Sequence, residues 1–155
     1  MENIFCAVME RITGWLPELS LVDEDYGQLQ TDEDTYPVTF PCVLIGNTDI
    51  DWSNSGGIGG SGGTSQKGEG IITVRLVIDC YDDTHYNSGT ADKIKERQEF
   101  NKKLYNTLQG FCCVSQVSPL VRVKSRDFSI PGGIKVYETI FKFTVTDKSA
   151  LPIRS

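Results

Sequence analysis

From Ile71 to Tyr81 the chain alternates strictly. Ile72, Val74, Leu76, Ile78 and Cys80 fall on one side, and Ile71, Thr73, Arg75, Val77, Asp79 and Tyr81 on the other. Period-two patterning of this length specifies a β-strand with one apolar face and one mixed face. Each buried apolar side chain contributes about 1.5 to 3 kcal/mol, so the apolar face fixes the strand's register and demands a layer to cover it.

Ahead of this strand lies Gly46 to Gly70, a 25-residue stretch with nine of the fifteen glycines. On the other side of that stretch, Val38 to Ile45 is a second apolar run, carrying Pro41. Proline cannot donate to a ladder, which predicts that this strand lies at a sheet edge or bulges there. The stretch contains a formal G-x-G-x-x-G in Gly57, Gly59 and Gly62. A phosphate cradle needs a helix N-terminus after the glycines, and here Lys67, Gly68, Glu69 and Gly70 lead into a strand. The reading is a flexible inter-strand arm, with Ser53 to Gly68 poorly ordered or held only by neighbouring molecules. Trp52, at its root, either anchors the loop base or serves as a partner contact.

Two helices complete the pattern. Ile4, Phe5, Val8, Met9 and Ile12 recur at helical spacing, with Asn3 as N-cap and Gly14 as stop before Pro17. A second helix is expected from Ala91 to Gln109, capped by Thr90 and ended by Gly110, with Ile94, Leu104 and Leu108 as its stripe. Arg97 falls inside that stripe, so either the first half of the helix is only partly covered or the arginine finds a carboxylate. Leu120 to Phe128 and Lys135 to Asp147 form a closing hairpin across Pro131, Gly132 and Gly133. In its second strand Tyr137, Thr139, Phe141, Phe143 and Val145 share the core face. The sum is a single α+β domain over residues 1–155, a mainly antiparallel four- to five-stranded sheet with two helices packed on one face, and a C-terminal tail from 148 to 155.

Charge and cysteine usage narrow the function classes. The net charge of −6 is split unevenly: residues 1–52 hold eleven acids and one base, residues 53–155 ten acids and fourteen bases. Net acidity argues against general nucleic-acid binding. The asymmetry fits either two solvated faces or an acidic face of one subunit meeting a basic face of the next. Asp23 and Asp25 on the acidic side, and a row of Arg122, Lys124 and Arg126 on the basic side, are the candidate complementary residues. The five cysteines, Cys6, Cys42, Cys80, Cys112 and Cys113, contain no C-x-x-C and read as reduced thiols. The first twenty residues mix charges into their apolar positions, and no run is long enough to span a membrane, so a cytosolic chain is expected. A calcium loop from Asp23 to Asp34 fails on Gln28, which stands where the turn glycine belongs, and on Asp34 in place of the bidentate Glu. The one place a nucleophile and a base come near each other is Cys80, Asp82 and His85, which a solvated turn explains equally well.

The order of elements, with Pro41-Cys42-Val43-Leu44-Ile45, Val74 to Asp79, the helix end Leu108-Gln109-Gly110-Phe111 and the closing run Val136 to Asp147, resembles small tail-terminator or tail-completion proteins of long-tailed bacteriophages and prophages. The resemblance spans roughly residues 3–147. It implies a structural virion protein with no enzymatic activity, no cofactor and no metal. It further implies a homo-oligomeric ring, commonly a hexamer, that joins the tail tube to head-completion proteins. Assembly would take place in the host cytoplasm and the product would reside in the virion tail. The alternatives are a small enzyme or ligand-binding protein using the Cys80, Asp82 and His85 neighbourhood, and another phage neck protein of similar fold.

Overall fold

The computed structural model describes residues 2–31, 35–54, 65–80 and 92–148. Their order is α1 (Glu2–Trp15), β1 (Leu21–Glu24), β2 (Cys42–Asn54), β3 (Gln66–Asp79), α2 (Asp92–Leu108), β4 (Val121–Ile130) and β5 (Ile134–Asp147). The five strands form one sheet in the order β1-β2-β3-β5-β4. Pairings β2–β3, β3–β5 and β5–β4 are antiparallel, but β1 runs parallel to β2. The sheet is therefore mixed, although mostly antiparallel. The expectation of a mainly antiparallel sheet missed β1, whose four residues are too short to show a period.

Both helices cover one face. Ile4, Val8, Ile12 and Leu16 from the first, and Leu104 and Leu108 from the second, join Val43, Ile45, Ile72, Val74, Leu76, Tyr137, Phe141 and Phe143 in one buried cluster. Arg11 ties the helices together, its Nε donating to the Thr107 carbonyl at 3.1 Å while its guanidinium lies over the rings of Trp15 and Phe111. Helix α1 begins at Glu2 and runs through Gly14 to Trp15, so Asn3 is not its cap and Gly14 not its stop. Helix α2 ends as expected: Gly110 takes φ +77°, the left-handed conformation that closes a helix cheaply with glycine. Ile94 is 39% exposed, which leaves the first half of α2 only partly covered. None of the helices among the described residues is long and apolar enough to cross a membrane.

The opposite face is also covered, by a segment that composition alone makes look like a connector. Leu29, Tyr36, Val38 and Phe40 pack against Cys42, Leu44, Val77, Ile134 and Val136 to form a second cluster. A compact turn starts this layer: Gln28 donates from Nε2 to the Glu24 carbonyl at 2.7 Å and accepts the Tyr26 N–H at 2.9 Å. Pro41 precedes β2, which over Cys42–Ile45 lies between β1 and β3. The expected edge position near Pro41 is thus corrected, because the proline sits outside the ladder it would have disrupted.

The largest correction concerns the glycine-rich stretch. Gly46 and Asp49–Asn54 pair with Thr73 and Gln66–Ile71, and β3 pairs with β5 along all fourteen of its residues, from Gln66 to Asp79. Gly46–Asn54 and Gln66–Gly70, expected as loop, are strand, and the glycines from Gly56 to Gly63 lie outside the described residues. Glycine in this ribbon makes room. A Cβ on Gly70 would come within 2.7 Å of Ile50 Cγ1 and 2.9 Å of Phe143 Cζ, and one on Gly68 within 2.8 Å of Ile50 Cγ2 and 3.0 Å of the Trp52 ring. Ile50, Trp52 and Phe143 occupy the space those side chains would take.

Candidate subunit-interaction surfaces

The expected basic row does not lie on one face. A bulge between Arg122 and Lys124 puts Arg122 opposite Phe141 and Lys124 opposite Ile140. Directly paired residues share a face, so Arg122 joins the helix side while Lys124 and Arg126 lie on the other. Arg122 stacks over the Tyr105 ring at 3.7 Å, and its backbone N–H donates to Gln109 Oε1 at 2.8 Å. Lys124 has an exposed side chain with no ion pair among the described residues.

Arg126 is held within the subunit. Glu138, itself 5% exposed, accepts from Arg126 Nε at 2.7 Å and from Arg75 Nε at 2.9 Å. Arg75 in turn reaches Asp25 Oδ2 at 3.3 Å, so Asp25, Arg75, Glu138 and Arg126 form one chain of alternating charge beneath the turn at residues 25–28. Donation from Arg126 foremost, then from Arg75, holds the Glu138 carboxyl below the usual carboxylate range against the opposing effect of burial. Gly46 makes this approach possible, since a Cβ there would meet Asp25 Cβ at 3.0 Å. Asp25 also accepts the Gly27 N–H at 3.1 Å. Asp23, in β1, accepts the neighbouring Glu24 N–H at 2.8 Å. Asp32 and Asp34 of the calcium-loop pattern lie outside the described residues, and no group of three or more possible metal-holding side chains occurs among those described.

Arg75 and Glu138 were missed by sequence reasoning. The signal available was an arginine between Thr73 and Val77 on a strand otherwise built of buried aliphatics, which calls for a carboxylate partner.

Trp52 is 40% exposed, its ring partly seated on Gly68. It stands with Ile50 on the helix side of the ribbon, while Asp49 and Asp51 point to the other side, as the pairing through Ile71 and Glu69 shows. The β2 edge from Asp49 to Asn54 has no strand neighbour among the described residues, and neither does the outer edge of β4. Val121 and Val123 on β4 are 40% and 50% exposed.

Two clefts accompany these edges. One, of about 440 Å³, is lined by Cys80, Arg97, Gln98, Asp127, Lys135 and Tyr137 among others; in it the Nε of Arg97 is buried without a hydrogen-bond partner among the described residues. Cys80 Sγ lies 3.7 Å from the Ile78 carbonyl, and Asp82 and His85 lie outside the described residues. The other cleft, of about 320 Å³, lies between Gly70, Pro119, Val121 and Phe143. Burial pushes the Cys42 thiol up to about 12 and the Cys113 thiol up to about 11, so neither is a ready nucleophile.

No protein-family model and no curated protein matches the chain. In structure it is similar to a protein chain in the solved "Virion of native gene transfer agent (GTA) particle", with a TM-score of 0.53 and 11% identity over 92% of this chain and 94% of that one. At that identity the likeness is one of fold.

Proposed function

We propose that this chain is a structural virion protein, the subunit of a ring that closes a phage-like tail or joins it to the head, rather than an enzyme. The observation that carries the reading is the near-complete structural overlap, 92% of this chain, with a chain of a gene transfer agent virion. The tail-terminator resemblance of Cys42–Ile45, Val74–Asp79 and Val136–Asp147 agrees with it, because all three runs are core strands of that shared fold. The form of the molecule suits such a role: both faces of the sheet's centre are covered, while the outer part of β2 and the outer edge of β4 have no strand neighbour among the described residues. In this reading the partners are further copies of the chain, a tail-tube protein and a head-completion protein. Assembly occurs in the host cytoplasm and the product is found in the virion tail.

Light scattering over rising concentration, with negative-stain imaging, tests the proposal. Rings of uniform size, alone or on a tail-tube protein, support it. A strict monomer at every salt concentration, with and without tail-tube protein, overturns it.

A further inference from the structure

Among the described residues, the open edges of β2 and β4 differ in charge, in direction and in what they present. On β2 the stretch without a strand neighbour among the described residues is Asp49–Asn54, beyond Gly46, which Asp25 approaches. It exposes Asp49 and Asp51 on the face opposite the helices and half-exposed Trp52 on the helix face. On β4 the free stretch is Val121–Ile130, with Lys124 and Arg126 on the face opposite the helices and Arg122 on the helix face. The β4 stretch is the longer of the two, so it can cover Asp49–Asn54 along its whole length.

Strand direction makes the match possible by rotation alone. β3 is antiparallel to β2, β5 to β3, and β4 to β5, so β2 and β4 run in opposite directions within one subunit. Setting one subunit's β4 beside the next subunit's β2, helices on the same side, gives an antiparallel pair, and the operation can be repeated around a ring.

We infer that the acidic β2 edge, Asp49–Asn54, of one copy of this chain adds antiparallel to the basic β4 edge, Val121–Ile130, of the next, forming a continuous sheet around the ring. This rests on the ring reading above and assigns it an interface. With Asp51 opposite Lys124, Asp49 comes opposite Arg126, and the bulge at Val123 brings Arg122 beside Trp52. Unlike charges then meet on one face and a cation meets an aromatic ring on the other. The alignment requires a stagger of about four residues between neighbouring sheets, the kind of strand shear that closes sheets into barrels. Stray strands of other proteins are disfavoured by the acidic residues of the β2 edge and the excess of cations on the β4 edge.

Charge reversal and cross-linking test the interface in the full chain. Asp51→Lys and Lys124→Asp should each weaken self-association at least about tenfold, and the double variant should recover most of it. In a Cys6→Ser, Cys112→Ser background, Asp51→Cys with Lys124→Cys should oxidise to a ladder of covalent oligomers, while either cysteine alone should not. Circular dichroism and unfolding midpoints confirm that the variants fold, as expected for exposed positions. Self-association unchanged by both reversals, or dimers formed by Asp51→Cys alone, overturns this interface. If rings persist in that case, the ring reading stands and only the edge assignment falls; a wild-type chain that never associates removes both.

Discussion

The inner and outer halves of the β2–β3 ribbon share one backbone pattern and differ in almost everything that covers it. Over Cys42–Ile45, β2 has a strand on each side and a layer on each face, and all four residues are fully buried. From Asp49 to Asn54 it has a strand on one side only, and the same backbone is lined by Asp, Ser and Asn with Ile50 and Trp52 between. A strand enclosed on both faces reads as a continuous apolar run, whereas one with a single packed face alternates. The change of composition at Gly46 therefore marks where the core ends; the strand itself continues.

The contrast is sharpest in its core. Phe141→Ala removes a fully buried ring from the helix-side cluster and should cost about 3 to 5 kcal/mol in urea or thermal unfolding. If it costs no more than Trp52→Ala, which should cost under about 1 kcal/mol because its ring is 40% exposed, the division between halves is wrong.

Next in size is Glu138→Gln, expected to cost about 1 to 3 kcal/mol at neutral pH, since it leaves the partly buried Arg75 with Asp25 as its one remaining carboxylate. That is less than for a fully enclosed pair, because Arg126 is half exposed. The Glu138 carboxyl ionises at a lower pH in the folded chain than in the unfolded one, so its contribution is complete above the ordinary glutamate value of about 4.3 and is lost as pH falls from there. Unfolding free energy measured from pH 7 to pH 3 should fall less steeply in the Gln variant.

Within the arm, Gly70→Ala should cost about 1 to 3 kcal/mol, because the new methyl meets Phe143, which is 2% exposed and fixed in the core. Gly68→Ala should cost less, since half-exposed Trp52 and Ile50 can turn outward. Equal costs would blur the boundary between the halves. The smallest readout is chemical: with a thiol reagent at pH 8, Cys6 and Cys112 should react at once and Cys42 only on unfolding, its thiol being both enclosed and raised in pKa.

The parts legible in the sequence were those whose covering layer writes a period into the chain. β3, β5 and the Gly110 stop of α2 follow from alternation and from glycine's tolerance of positive φ. The layer over the second face was not, because residues 25–31 and 35–41 hold their place through turns and single anchors such as Leu29 and Phe40, which repeat at no interval. The ionic chain from Asp25 to Arg126 was hidden for a related reason: Arg75 and Glu138 meet across 63 positions, a distance no local pattern reports. The bulge at Val123 was silent too, and it divided a row of cations that looked continuous. The glycines misled because flexibility and room for a neighbour's side chain have the same composition.

The strand order has a consequence for how the chain comes to be folded at all. β3 is completed by β5, the last strand, with Leu76 opposite Tyr137 and Gln66 opposite Asp147. During synthesis the β2–β3 ribbon emerges long before its partner, with β3's second edge unsatisfied while some sixty further residues are made. Pairings so distant in sequence close slowly. The newborn subunit is therefore most open to wrong pairing before β5 arrives, and the acidic residues of the ribbon guard it in that interval as well as in the finished molecule.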